Sequence, residues 1–186
     1  MPVETIVRSS LQARERAGRT LDQRLALRFP ALATANFRLI GSQRPENRLR
    51  RALLRRAAQL AIEAYNRRDL DVIVLGWAAD VEYRPDRNWV RAGLVEESYR
   101  GAEGYRRYVA AIDEVWDGEN YLTPLELVDT GERFVTLGRG RMRAKASGVP
   151  LAEAYALVTT LRGGRPFLHE EYYDHEEALA AAGVPG

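Results

Sequence analysis

Leu49, Leu53, Ala57, Leu60, Ala61 and Ala64 recur at the spacing of one helical face, with arginines on the opposite side. Asn47 stands just ahead as a cap, so the pattern predicts a helix from residue 48 onward. Asp69 reads as the cap of a second, short helix, LDVIVLGWA. In DVEYRP, Val81 and Tyr83 alternate with Glu82 and Arg84, which predicts a short strand stopped by Pro85. The stretch from there to Tyr99 reads as irregular. From Gly101 a helical spacing returns through Tyr105, Tyr108, Val109, Ile112, Val115 and Trp116. The period then switches to two. YLTPLELVDTGERFVTLGRGRMRAKASG predicts two strands joined at Asp129–Glu132, and PLAEAYALVTTLRGGRPFLHEEYYD predicts two more around the tight turn RGGR. HEEALAAAG closes the chain as a helix ended by Gly183.

This order describes an α+β fold in which helices pack on one face of a curved antiparallel sheet. It occupies residues 48–186. Residues 1–47 read as a basic arm, helical or partly disordered: TLDQRLALRF opens on a cap at Thr20 and places Leu21, Leu25 and Leu27 ahead of Pro30, and GSQRPEN is a linker.

Composition narrows the function classes. The 186 residues are 46% hydrophobic, enough for one core, and contain no cysteine, which excludes disulfides and thiolate catalysis. No run approaches the roughly 20 apolar residues of a membrane span, so no membrane partner is expected. No leader-like apolar segment opens the chain, so a cytoplasmic location is expected. The net charge of +2 conceals an asymmetry: residues 1–56 carry 13 arginines against 4 acids, while the rest carries 15 basic groups against 22 acidic ones. Such an arm could bind nucleic acid or anionic lipid, or dock on its own acidic body. Aromatic interleaving is missing, so docking is preferred and nucleic acid is not an expected partner.

The segments AIEAYNRRDLDVIVLGWAADVEYRP, YRGAEGYRRYVAAIDEVW, ASGVPLAEAYALVTTLRGGR and EEYYDHEEALAAAG together resemble the nuclear transport factor 2-like superfamily, specifically SnoaL-like proteins, over residues 49–183. The resemblance implies a cone-shaped roll with a pocket between the concave sheet face and the helices, and commonly a homodimer through the sheet's outer face. It also implies a carboxylic acid on the last strand, which falls at Glu171. Where SnoaL-like cyclases carry a histidine on the preceding strand, this sequence departs from the pattern with Leu157.

Strand parity assigns the pocket face. Phe167, His169, Glu171 and Tyr173 share one side of the last strand, and Glu153, Tyr155, Leu157, Thr159 and Leu161 share one side of its partner. In RFVTLGRGRMR the set Val135, Leu137, Arg139, Arg141 and Arg143 is assigned inward. An apolar cone raises the pKa of Glu171 toward neutrality, where it can take or deliver a proton. His169 lies on the same face and would take the missing histidine's part, Arg139 would hold an oxyanion, and Tyr83 would donate to a developing enolate. Trp77, Trp89, Tyr105 and Trp116 would wall a flat apolar ligand, with Tyr108, Tyr155, Leu157 and Tyr173 completing the lining. Structural readings compete: a Glu171–Arg139 ion pair, a hydrogen-bonded core histidine, and tryptophans that only pack. Phe29 and Phe37 could plug the mouth. No metal-ligand spacing or phosphate loop is present, and no cofactor is expected. Two functions remain open: a cofactor-independent isomerase, cyclase or hydrolase acting on a small apolar molecule, or a non-catalytic ligand-binding or dimerisation module.

Overall fold

The structure, a computed structural model, describes residues 5–12, 18–117 and 120–185. In chain order it contains β1 (Val7–Ser10), α1 (Leu21–Arg28), α2 (Pro30–Ser42), α3 (Arg48–Asn66), α4 (Leu70–Ile73), β2 (Glu82–Arg84), α5 (Arg87–Arg91) and β3 (Tyr99–Arg100). These are followed by α6 (Gly101–Val115), β4 (Tyr121–Asp129), β5 (Arg133–Arg143), β6 (Pro150–Arg162), β7 (Arg165–Tyr172) and α7 (His175–Ala181). The strands form one curved, unclosed sheet in the order β1-β4-β5-β6-β7-β2-β3, antiparallel except where β2 runs parallel to β7. The four long strands and the helices α3, α6 and α7 stand where the hydrophobic periodicity puts them. β1, α2, α5 and β3 are additional.

Local chemistry explains the boundaries. Asn47 caps α3 through its side-chain oxygen, which accepts from the amide of Leu49. Thr20 and Gln23 form a reciprocal capping box at α1. Asp69 precedes α4 but does not cap it with its side chain; its carboxylate is taken by Arg19, at 2.7 and 2.8 Å. Gly163 and Gly164, at φ +57° and +73°, make the turn between β6 and β7.

The sheet is covered on both faces. α3 and α6 lie over the concave side, where Tyr105, Tyr108, Val109 and Ile112 of α6 join Tyr83 and Tyr99 in one cluster. On the outer side Ala178 and Ala182 pack with Val184 against Val128, Val135, Leu137, Ala156 and Val158. His175 fixes that layer by donating from Nε2 to the carbonyls of Gly138 and Tyr155, at 2.9 and 3.1 Å.

This outer layer corrects the assignment of β5. Thr136 lies opposite Leu157, and Leu157 opposite Glu171, so Thr136 belongs to the concave face. Val135, Leu137, Arg139, Arg141 and Arg143 point to the other. Over residues 134–138 both sides of β5 are buried, so the apolar residues alone do not distinguish in from out. A second row crosses the concave face through five strands: Phe134, Thr159, His169, Tyr83 and Tyr99.

α3 turns two faces inward. Arg50, Leu54, Ala58 and Ile62 are buried, whereas Leu53, Ala57, Leu60 and Ala61 border the cavity described below and Leu49 is exposed. Arg50, the arginine that does not face solvent, donates Nε and Nη2 to Asp129 at 2.7 Å each. Its Nη1 reaches the carbonyls of Ile40 and Gln43 at 2.9 Å.

The N-terminal segment is folded against the rest. β1 adds to the sheet edge beside β4. On α1 Gln23, Ala26 and Leu27 turn inward, Leu21 is exposed, and Leu25 is partly exposed at the cavity's edge; Gln23 donates to the carbonyl of Leu60 and accepts from Arg67. α2 sits on the β6–β7 turn. A Cβ at Gly41 would stand 2.6 Å from Cα of Gly164, and one at Gly164 would stand 2.9 Å from Cα of Arg38, so the two backbones meet only because both residues are glycine.

Candidate functional site

Between the concave face, α3 and the helices α1 and α2 lies a cavity of about 450 Å³. Its inner wall carries Trp77, Tyr83, Tyr105, Tyr155, Leu157 and His169, with Thr136 and Thr159 beside them. Its outer wall is made by the N-terminal helices, through Gln23, Leu25, Leu32 and Phe37. Phe37 thus borders the cavity, while Phe29 does not and is exposed. Tyr65, on α3, also lines the wall. Its position one turn beyond Ala61, on the same helical face, is the sequence signal for it.

His169 is 4% exposed. Its Nδ1 is 3.0 Å from Oγ1 of Thr159, and its Nε2 is buried without a partner among the described residues. Burial pushes the imidazole down to about 3, so the ring is neutral. Among the described residues the hydroxyl of Thr159 has only this nitrogen to donate to. With that hydroxyl as the donor to Nδ1, the ring carries its hydrogen on Nε2. Trp77 packs on the ring at 4.4 Å and Tyr83 lies at 6.2 Å.

Glu171 lies on the same face, one residue pair further along, and is 5% exposed. It does not form part of the wall of the 450 Å³ cavity; Leu157, its cross-strand neighbour, does. Tyr108 donates to its Oε2 at 2.6 Å and Tyr173 to its Oε1 at 3.4 Å. Burial raises its carboxyl to about 7, against the hydrogen bonds from Tyr108, the Asp86 backbone and Tyr173 and with the added repulsion of the Asp86 carboxylate. No arginine or lysine pairs with it among the described residues. Tyr83, Tyr108, Tyr155 and Tyr173 are held well above the usual phenol range, first by burial and second by the charge of Glu171. These phenols are donors, not bases.

Asp86 escaped sequence reading. It is buried, caps α5 by accepting from the amide of Asn88, and accepts from the amide of Tyr173. Its only sequence signal is an acid directly after Pro85.

The remaining candidates are dispersed. Arg139 is exposed on the outer face, opposite Thr123 and Ala154, which removes it from any pairing with Glu171 or a ligand in the cavity. Trp89 and Trp116 stand behind Glu171 rather than in the cavity wall. Trp89 stacks on Tyr173 at 4.8 Å, and Trp116 follows at 5.7 Å. Tyr108 and Tyr173 are likewise outside that wall and serve the carboxyl group. Tyr83 joins both regions, with its ring 4.5 Å from Tyr108 and 5.0 Å from Tyr105.

No protein-family model and no curated protein sequence matches the chain. Solved structures do. An NTF2-like protein of unknown function from Burkholderia pseudomallei is 25% identical, covering 67% of this chain and 93% of its own, with a TM-score of 0.57. TerC, co-crystallised with polyporic acid, is 22% identical over 69% of this chain and 95% of its own, also at 0.57. A protein of ketosteroid isomerase-like fold from Catenulispora acidiphila, in complex with trimethylamine, is 18% identical over 69% and 93%, at 0.52. The fold is therefore nuclear transport factor 2-like.

Proposed function

We propose that the chain binds a small, largely apolar molecule carrying a hydrogen-bond acceptor such as a carbonyl oxygen. The observation that carries this reading is the neutral His169 in the wall of a mostly apolar cavity, with Nε2 buried and without a partner among the described residues. A volume of about 450 Å³ suits one small organic ligand. Aromatic rings would enclose its flat faces. An acceptor closing on Nε2 would relieve a buried donor, and a ligand lacking one would leave that cost in place. The TerC complex with polyporic acid shows a fold neighbour co-crystallised with an organic acid and supports the ligand class only at that level.

A matched pair of probes tests the reading: 9-fluorenone, which has a carbonyl, and fluorene, which has none. Fluorenone should bind roughly tenfold more tightly, the ratio expected when one buried hydrogen bond is gained. Replacing His169 with Phe should abolish the preference. Equal affinities would remove the acceptor from the proposal, and failure of both probes to bind would remove the apolar site.

A second reading is favoured by the carboxyl of Glu171, held near neutrality without a basic partner. On this reading the ligand reaches past Leu157 and Tyr83, and Glu171 exchanges a proton with a carbon or leaving oxygen while His169 and the phenols hold the developing negative charge. Leu157 in place of a histidine leaves Glu171 as the acid–base group on these strands. Glu171→Gln should then retain probe binding and lose turnover of any compound found to be converted.

A further inference from the structure

The helices that roof the cavity carry an exposed apolar surface that reaches the cavity's edge at Leu25 and Leu32. On α2, Ala31, Leu32, Ala35, Arg38 and Leu39 are all exposed and share one helical face. α1 and the residue joining it to α2 extend this surface with Leu21, Leu25 and Phe29. The exposures are 73% for Leu21, 44% for Leu25, 55% for Phe29, 52% for Leu32 and 41% for Leu39. Scattered exposed leucines are ordinary, but five large apolar side chains on one adjoining helix pair form a patch.

The patch has a sign. Arg24, Arg28 and Arg38 are exposed on the same two helices and have no carboxylate partner among the described residues. Intramolecular docking uses other arginines of the basic segment: Arg8 with Glu126, Arg19 with Asp69, Arg50 with Asp129 and Arg56 with Asp22. The one acid on the exposed side of α1, Asp22, is the partner of Arg56. Arg8 and Arg19 of the basic arm thus pair with the body, the arm's Asp22 is taken by Arg56 of α3, and Arg24, Arg28 and Arg38 are presented outward.

We propose that the outer face of α1 and α2 docks this protein on an anionic lipid surface. Leucine and phenylalanine would enter the headgroup boundary while Arg24, Arg28 and Arg38 meet lipid phosphates, the arrangement of an interfacial helix rather than a spanning one. A second copy is the weaker occupant, since a two-fold contact through this face would set like charges against each other. Leu25 and Leu32 belong both to this face and to the cavity wall, so the cavity opens where the lipid would lie. The docking itself stands independently of what the cavity binds.

The full chain would be sedimented with phosphatidylcholine vesicles, with and without a minor fraction of phosphatidylglycerol. Binding should rise roughly tenfold or more with the anionic lipid, from a few arginines at a charged surface, and should weaken with added salt. Leu21→Asp with Phe29→Asp, and separately Arg24→Glu with Arg28→Glu, should each abolish it. All four positions are exposed and lie outside the cavity wall, and an unchanged melting temperature would show that the fold persists. Wild-type protein that ignores anionic vesicles, or variants that bind them as well as wild type, would overturn the proposal. So would binding to single-stranded RNA in preference to vesicles, or a concentration-dependent dimer broken by Phe29→Asp without vesicle binding.

Discussion

The phenol of Tyr108, on α6, donates to Oε2 of Glu171, on β7, across 2.6 Å, and neither group has a basic residue as partner among the described residues. The bond favours the charged form of a carboxyl whose burial favours the neutral one. Tyr108→Phe should therefore raise the midpoint of Glu171 above about 7, by roughly one unit. A carbon-13 NMR titration of the carboxyl group would read this, and an unmoved midpoint would show that the hydrogen bond does not act on the equilibrium.

Glu171 and His169 pull the pH dependence of stability in opposite directions. Glu171 rises from 4.5 to about 7 on folding, so its stabilising contribution is full below 4.5 and is lost as pH rises through 7. His169 falls from 6.5 to about 3, so the unfolded chain takes up the proton first and stability is lost as pH falls below 6.5. Between pH 4.5 and 6.5 the two slopes, each about 1.4 kcal/mol per pH unit, cancel. Urea unfolding across this window should show Glu171→Gln becoming more stable with pH relative to wild type and His169→Phe becoming less stable. Parallel curves for all three proteins would refute the pairing.

Arg50 and Asp129 form a buried ion pair whose donors also hold the end of α2 and the β4–β5 turn. Arg50→Met should cost about 3–5 kcal/mol, because it strands a buried carboxylate. Adding Asp129→Leu should recover much of that loss, as measured by chemical denaturation. If the double variant is no better than the single one, the backbone contacts of Arg50 matter more than its charge.

The glycine seam between α2 and the β6–β7 turn gives a separate handle on the roof of the cavity. Gly164→Ala places a Cβ in a left-handed residue and against Arg38, and should cost roughly 1–3 kcal/mol. Limited proteolysis should then cut between α1 and α3 sooner than in wild type while the sheet domain persists. Unchanged cutting would mean that α2 is held by its apolar contacts alone.

Much of this architecture was legible from periodicity. The cap at Asn47, the stripe of α6 and the RGGR turn each carry a local signal, and the parity of β6 and β7 places Leu157, His169 and Glu171 on one face. What stayed illegible depends on partners distant in sequence. β1 is four residues long and acquires its register from β4, more than a hundred residues away. Arg139 was assigned inward because nothing local to β5 announces that α7 covers the opposite face. The two-tier arrangement, with His169 in the cavity wall and Glu171 outside it, depends on which helices and rings cover each end of the face, which strand parity alone does not reveal.

The layer made by α7 also constrains self-association. It covers the outer sheet face over the middle of β5 and β6 and leaves bare the end that carries Thr123, Arg139, Arg141 and Ala152. A two-fold pair formed on this remainder would bring guanidinium groups of one copy toward those of the other. Such a dimer would tighten as ionic strength rises, the reverse of one held by salt bridges, because screening weakens the repulsion.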